Sequence, residues 1–199
     1  MPHMKDTITD AAVGLFYQKG YFATSVSEIA RQCGIQKASL YYHYPSKENI
    51  LFQIQKVTMD ELTDYLRSNL EGLTDVETRM RAAVHSHVRF HLNRQKETFI
   101  ANSELRGLTP DHYREIVSRR DAYEQIFQNI IREGCEAGVF APVDVKILSY
   151  AILTLCNAGA IWFKPEGRMP VDAIAAIYEA FVLQGLKTGP PGPAPMPAG

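Results

Sequence analysis

The stretch Ser25–Lys47, SVSEIARQCGIQKASLYYHYPSK, decides the fold. Val26, Ile29, Ala30 and Cys33 recur at i, i+3, i+4 and i+7, which places them on one face of a short helix. Ser25 followed three residues later by Glu28 is a capping box, so the helix start is defined, and Gly34 ends the helix. A second short helix is expected from Gln36 or Lys37, with Leu40 as its core contact. Ala30 is small enough for two helices to cross there, and Gly34 can take the left-handed turn between them. The exposed side of the second helix then carries Gln36, Lys37, Ser39, Tyr42 and His43, donors and a ring of the kind that read base edges and phosphates in a major groove. The same pattern is also compatible with a plain helical hairpin that presents a solvated polar face.

Working outward, Ile8, Ala11, Ala12, Leu15 and Phe16 form the stripe of a first helix over Lys5–Lys19, stopped by Gly20. Three helices thus make a head. Ser46 caps a long helix with the stripe Leu51, Ile54, Thr58, Leu62, Tyr65, Leu66 and Leu70. One end of this helix adjoins the second hairpin helix through the Pro45 turn, and the other enters the rest of the chain. Thr74 and Glu77 suggest another capping box, opening a helix to about Gln95, followed by a segment over Glu97–Leu105. Thr109-Pro110-Asp111 is a helix start with cap, proline and acid in order, and that helix should run to about Ala137. The last two helices, Asp144–Phe163 and Val171–Leu186, have wide apolar stripes. Such stripes serve either internal packing or packing against a second copy. The expectation is all-α: a three-helix head and a larger helical body, about nine helices in all. The divisions are 1–50, 51–187 and a Pro/Gly-rich tail over 188–199 that cannot form a core and should be disordered.

The chain has 199 residues, 46% hydrophobic and 22% charged, the composition of a soluble globular protein. No apolar run is expected to be long enough to span a bilayer, and no secretory signal is evident, which points to the cytoplasm. Cys33, Cys135 and Cys156 lie far apart within helical patterns and read as buried free thiols. Net charge is −1, and within residues 1–50 Lys5, Lys19, Arg31, Lys37 and Lys47 stand against Asp6, Asp10, Glu28 and Glu48. Affinity for DNA would therefore rest on local placement and on dimerisation, which doubles the phosphate contacts.

Gly34 through Lys47 closely resembles the DNA-binding signature of the TetR/AcrR family of transcriptional regulators. The resemblance is strong over Lys5 to about Ile54 and architectural beyond. It implies base and phosphate contacts from Gln36, Lys37, Ser39, Tyr41, Tyr42 and His43, with Thr24 and Lys47 on flanking phosphates, and a homodimer built on the last two helices. Tyr44 departs from the usual phenylalanine; its ring can still pack with the hydroxyl near solvent. NSELRGLTPDHYREIVSRRDAYEQIF (102–127) and WFKPEGRMPVDAIAAIYEAFVLQGL (162–186) resemble TetR-type repressors of fatty-acid and sterol-ring degradation, which answer to acyl-CoA thioesters. By that resemblance Arg106, Arg119, Arg120, Lys164 or Arg168 would meet phosphates.

Rings on inward stripes, Tyr65, Phe90, Tyr123, Phe127 and Trp162, together with Arg106, Arg120 and Asn157, are the expected lining of an effector chamber. No cofactor is expected. Neither a Walker loop, a nucleophile elbow, HExxH nor a paired CxxC occurs, which disfavours an enzyme. His87 and His91, four apart on one face, could hold two ligands of a metal, but sequence offers no third; packing or pocket lining is the plainer use. The function expected is a repressor released from a palindromic operator by a hydrophobic effector such as an acyl-CoA. A drug-sensing repressor of an exporter is the alternative within the class, and a small helical metal enzyme the rival outside it.

Overall fold

The computed structural model describes residues 4–188. The helices are α1 (Met4–Lys19), α2 (Val26–Gln32), α3 (Lys37–His43), α4 (Lys47–Leu70), α5 (Val76–Asn93), α6 (Gln95–Ser103), α7 (Pro110–Glu136), α8 (Val145–Asn157), α9 (Gly159–Trp162) and α10 (Val171–Thr188). Leu105–Gly107 adds one 3-10 turn between α6 and α7. With the four-residue α9 counted as the end of α8, the described residues hold the nine α-helices expected.

Local signals set most of the boundaries. The Ser25 hydroxyl accepts from the Glu28 N–H, and the Glu28 carboxylate returns to the Ser25 N–H at 2.8 Å. The Lys19 ammonium and that N–H together hold the Glu28 carboxyl down at about 2. Gly34 takes φ +67°, the left-handed turn required between α2 and α3. Pro110 opens α7 behind its Thr109 cap.

Three expectations shift. The cap of α5 is Asp75, not Thr74; its carboxylate takes both the N–H and the hydroxyl of Thr78, and Glu77 is left to pair with Arg81 and Lys187. The segment expected over Glu97–Leu105 begins at Gln95 and ends at Ser103. The helix expected over Asp144–Phe163 breaks at Ala158, and the Gln95 side chain donates to the carbonyls of Ala160 and Phe163, in and just after the short α9 that follows. The break bears on the bilayer question. Val145–Trp162 does form an 18-residue apolar stretch of mean hydropathy 1.4. Its longest uninterrupted helix is the 13 residues of α8, against the roughly 20 needed to cross a bilayer. The tail expected over 188–199 lies outside the described residues except for Thr188, the last residue of α10.

The buried apolar side chains form two clusters. Ile8, Phe16, Ile29, Leu40, Ile50 and Ile54 make one, closed by Ile100 of α6. The other gathers Leu62 and Leu66 of α4 with Met80 and Val84 of α5, Phe127 and Ile130 of α7, Ile152 of α8 and Leu183 of α10. Helix α5 runs through its centre, against α4, α7, α8 and α10. Tyr44 is buried against the first cluster and its hydroxyl bonds Thr9 Oγ1 at 3.0 Å, so the extra oxygen finds a protein partner instead of solvent.

Helix α4 joins the clusters, and carboxylates pin the joint. Glu48 Oε1 accepts from the Thr109 N–H (3.0 Å) and from His112 Nδ1 (2.7 Å), whose ring stacks on Phe52 at 3.8 Å. Glu104 Oε1, at the end of α6, accepts from the Tyr21 N–H. Between Ile54 of one cluster and Met59 of the other lies Gln55, 0% exposed, with neither amide atom partnered. An unpartnered buried amide costs roughly 1–3 kcal/mol. Gln55→Met keeps the volume and removes both polar atoms, so the variant is expected to unfold at a denaturant concentration above that of the parent. An unchanged or lower midpoint would mean that the amide is satisfied in solution.

Candidate functional site

Helix α3 is seven residues long and is fastened by one buried side chain, Leu40, leaving most of its surface open. Gln36, Lys37, Ser39 and Tyr41 are exposed, Tyr42 is 88% exposed, and His43 is half-buried with its ring edge-on to Tyr42 at 5.2 Å. The Lys37 ammonium sits 5.9 Å from the Tyr41 ring. Six of the eight residues expected to meet DNA thus share one accessible helix and its cap.

Thr24 and Lys47 do not join them. Thr24 is 2% exposed and its hydroxyl donates to the Gly20 carbonyl at 2.9 Å. The Lys47 ammonium donates to the carbonyls of Tyr21 (2.9 Å) and Thr24 (2.8 Å) and lies 4.1 Å from the Tyr21 ring centre. Burial pushes its pKa down. Lys47 ties the turn between α1 and α2 to the start of α4, while the Thr24 hydroxyl bonds inside that turn, so both side chains have partners within the protein. Phe22 on the same turn is exposed, a residue that no pattern in the sequence singled out.

A second site lies in the body. Between α5, α7 and α8 is a cavity of about 280 Å³ whose lining includes His87, His91, Arg120, Tyr123, Glu124 and Asn157. A hollow of about 430 Å³ shares Arg120, Asn102, Thr154 and Asn157 with it and reaches the exposed Ile161. Arg120, Tyr123 and Asn157 are therefore brought together as expected. Tyr65, Phe90 and Phe127 pack in or against the body core, Trp162 belongs to a separate hollow with Lys164 and Arg168, and Arg106 is exposed and lines none of these cavities. Arg119 pairs with Asp60 and Glu115. The sequence reading missed Asn102, Glu124 and Thr154; a polar residue on an otherwise apolar helix face was the available signal.

The histidine pair is a built network. His87 and His91 stack at 4.0 Å. His87 Nε2 lies 3.0 Å from Asn157 Oδ1 and so donates to it, which leaves Nδ1 to accept the Tyr123 hydroxyl at 2.8 Å. Both His87 nitrogens are engaged, and among the described residues no three His, Cys, Asp or Glu side chains converge as a metal site would require. The Cys156 thiol, buried nearby, is pushed up to about 12, and all three cysteines are free.

Burial pushes the His87 pKa well below its ordinary value and the His91 pKa down to about 4. Both imidazoles are neutral in the fold, whereas the unfolded chain takes up their protons below about pH 6.5. The unfolded state then binds more protons, so stability is full above pH 6.5 and falls as pH drops toward 4. The expected loss from His91 is on the order of 3 kcal/mol, read as a falling denaturant midpoint between pH 7 and pH 4.5. His91→Phe should make that slope shallower by its own share, leaving that of His87; an equally steep slope in the variant would assign the loss to other groups.

Comparison with known proteins adds to this geometry. Residues 8–54 match the family described as bacterial regulatory proteins, tetR family, and residues 73–186 match the tetracyclin repressor-like C-terminal domain. The chain belongs to the TetR family. The HTH-type transcriptional repressor KstR2 of Rhodococcus jostii (strain RHA1) is 25% identical over 90% of this chain and 89% of its own length. Among solved structures, the TetR family regulator PfmR of Thermus thermophilus superposes with TM-score 0.83 at 33% identity over 90% of this chain and 98% of its own. AibR, solved in complex with isovaleryl coenzyme A and operator DNA, superposes with TM-score 0.83 at 28% identity over 90% of this chain and 97% of its own. The chain is thus a TetR-family regulatory protein, its α2–α3 pair the helix-turn-helix.

Proposed function

We propose that this protein is a homodimeric repressor released from a palindromic operator by a coenzyme A thioester. The observation that carries the reading is the joining of the open α3 face to the α7 cavity through α4. The cavity draws its lining from α7 and α4, and α7 begins at the Glu48–His112 contact on the first turn of α4, directly after the recognition helix. In this reading residues 1–50 are the DNA-binding head and 51–187 the effector-binding, dimerising body. Gln36, Lys37, Ser39, Tyr41, Tyr42 and His43 meet the duplex, the copies join through α8 and α10, and the protein works in the cytoplasm by binding alone, without catalysis.

An effector moves the equilibrium only by the amount it prefers one state, and passing from mostly bound to mostly released takes about 5.5 kcal/mol of differential affinity. A CoA thioester offers an acyl group for the cavity and phosphates for a guanidinium, Arg120 being the Lys or Arg side chain that lines both the cavity and the adjoining hollow. That AibR was solved with isovaleryl coenzyme A and operator DNA supports this class of ligand. Glu124 and Asp121 beside the cavity favour the second reading, a cationic drug. The test is an operator-release titration on the DNA adjoining the coding region, with CoA thioesters, free acids and cationic drugs. Release by thioesters alone is expected; release by drugs alone would establish the exporter-control reading.

A further inference from the structure

We infer that the cavity between α5, α7 and α8 is built for a hydroxylated acyl group rather than a plain saturated one, an inference that rests on the CoA-thioester reading and names the acyl class.

The cavity presents hydrogen-bonding capacity that the protein does not use. His91 Nδ1 lies 2.9 Å from the His87 carbonyl, which can only accept, so Nδ1 carries the proton and Nε2 is a bare lone pair. That lone pair has no protein partner, and the depressed pKa keeps it an acceptor at neutral pH. Glu124 Oε1 already takes Ser149 Oγ (2.7 Å) and Gln128 Nε2 (2.6 Å), while its Oε2 takes nothing. On the donor side, Asn157 Oδ1 is engaged by His87 but Asn157 Nδ2 is free. Two acceptors and one donor thus belong to side chains that line one space.

A saturated chain would strip water from these groups and return nothing. A ketone would serve the donor and leave the acceptors empty. A hydroxyl both donates and accepts, and so can serve both sets. The same chemistry exists on the pantetheine arm of coenzyme A, but the placement favours the acyl end. His91 is 3% exposed at the inner wall, whereas the hollow that shares Arg120 and Asn157 opens outward at Ile161. The inner volume of about 280 Å³ is at the small end of ligand sites, matching a compact acyl group.

The probes are cyclohexanecarboxyl-CoA and 4-hydroxycyclohexanecarboxyl-CoA, titrated calorimetrically into the full-length protein, with the two corresponding free acids alongside. The hydroxylated thioester is expected to bind at least about tenfold more tightly, because a site built to bond a hydroxyl penalises the ligand that lacks one. His91→Phe, which keeps the ring and loses the acceptor, and Asn157→Leu, at a half-buried position, should each reduce that preference to within about twofold.

Equal binding of the two thioesters by the parent overturns the inference and leaves the CoA reading standing. A uniform loss for both thioesters in His91→Phe also overturns it, since the group would then be reading the pantetheine arm. Discrimination between the free acids with no thioester binding supports the hydroxyl site and defeats the CoA reading. Binding by none of the four probes defeats both.

Discussion

Tyr42→Ala is expected to weaken operator binding by about 100-fold or more while leaving the melting temperature unchanged. The ring is 88% exposed, and its one aromatic neighbour is His43, so truncation creates no cavity and removes no buried contact. Surface changes of this kind stay within about 0.5 kcal/mol of the parent stability. On DNA the balance reverses. Each half-site contact is typically worth about 1–3 kcal/mol, and a dimer loses it twice. Anisotropy titrations with an operator fragment at fixed salt would read the change, and parent-like affinity would remove α3 from the interface. Lys47→Ala separates the two roles. That ammonium clamps the carbonyls of Tyr21 and Thr24, so its loss should lower the melting temperature together with affinity. Operator loss without thermal loss would return Lys47 to the phosphates.

The contrast shows what sequence can carry. The Ser25–Glu28 box, the Gly34 turn, the Leu40 plug and the Thr109-Pro110 start are set within a few residues, and each stands where the pattern put it. The internal partners of Lys47 were not legible because they lie on a turn more than 20 residues away that folds back onto α4, which no local pattern records. The short α9 beyond Ala158 is likewise held from afar, by Gln95 donating to the Ala160 carbonyl across 65 residues. Cavity lining was legible only in part. An inward stripe identifies side chains that leave solvent, but Phe127 and Tyr123 on one face of α7 divide between core and cavity according to what α5 and α8 place opposite. His87 and His91 showed a shared face, and only the fold supplied Tyr123 and Asn157 to fix their protons.

Phe181→Asp is expected to convert the protein to a folded monomer. Ile147, Trp162, Ile177 and Phe181 are exposed along the last three helices, Phe181 at 67%, and a groove of about 410 Å³ between α8 and α10 is lined by Ile147, Leu155 and Phe181. In an isolated chain, an aspartate at so open a position remains hydrated and costs little, so helical content should match the parent. In a dimer packed on these helices the carboxylate would lose its water without gaining a counter-charge. The two-fold symmetry would also bring a second such group into the same interface. An unpaired buried charge costs several kcal/mol, enough to raise the dimer dissociation constant by about 1,000-fold or more. Phe181→Leu, which stays apolar, should remain dimeric and separates charge from lost volume. Operator affinity should fall with the dimer, because a single head keeps only half of the phosphate and base contacts. Sedimentation velocity at micromolar concentration decides the matter. A dimeric aspartate variant would move the interface away from Phe181, and a monomeric parent protein would leave the exposed apolar face without a second copy to cover it.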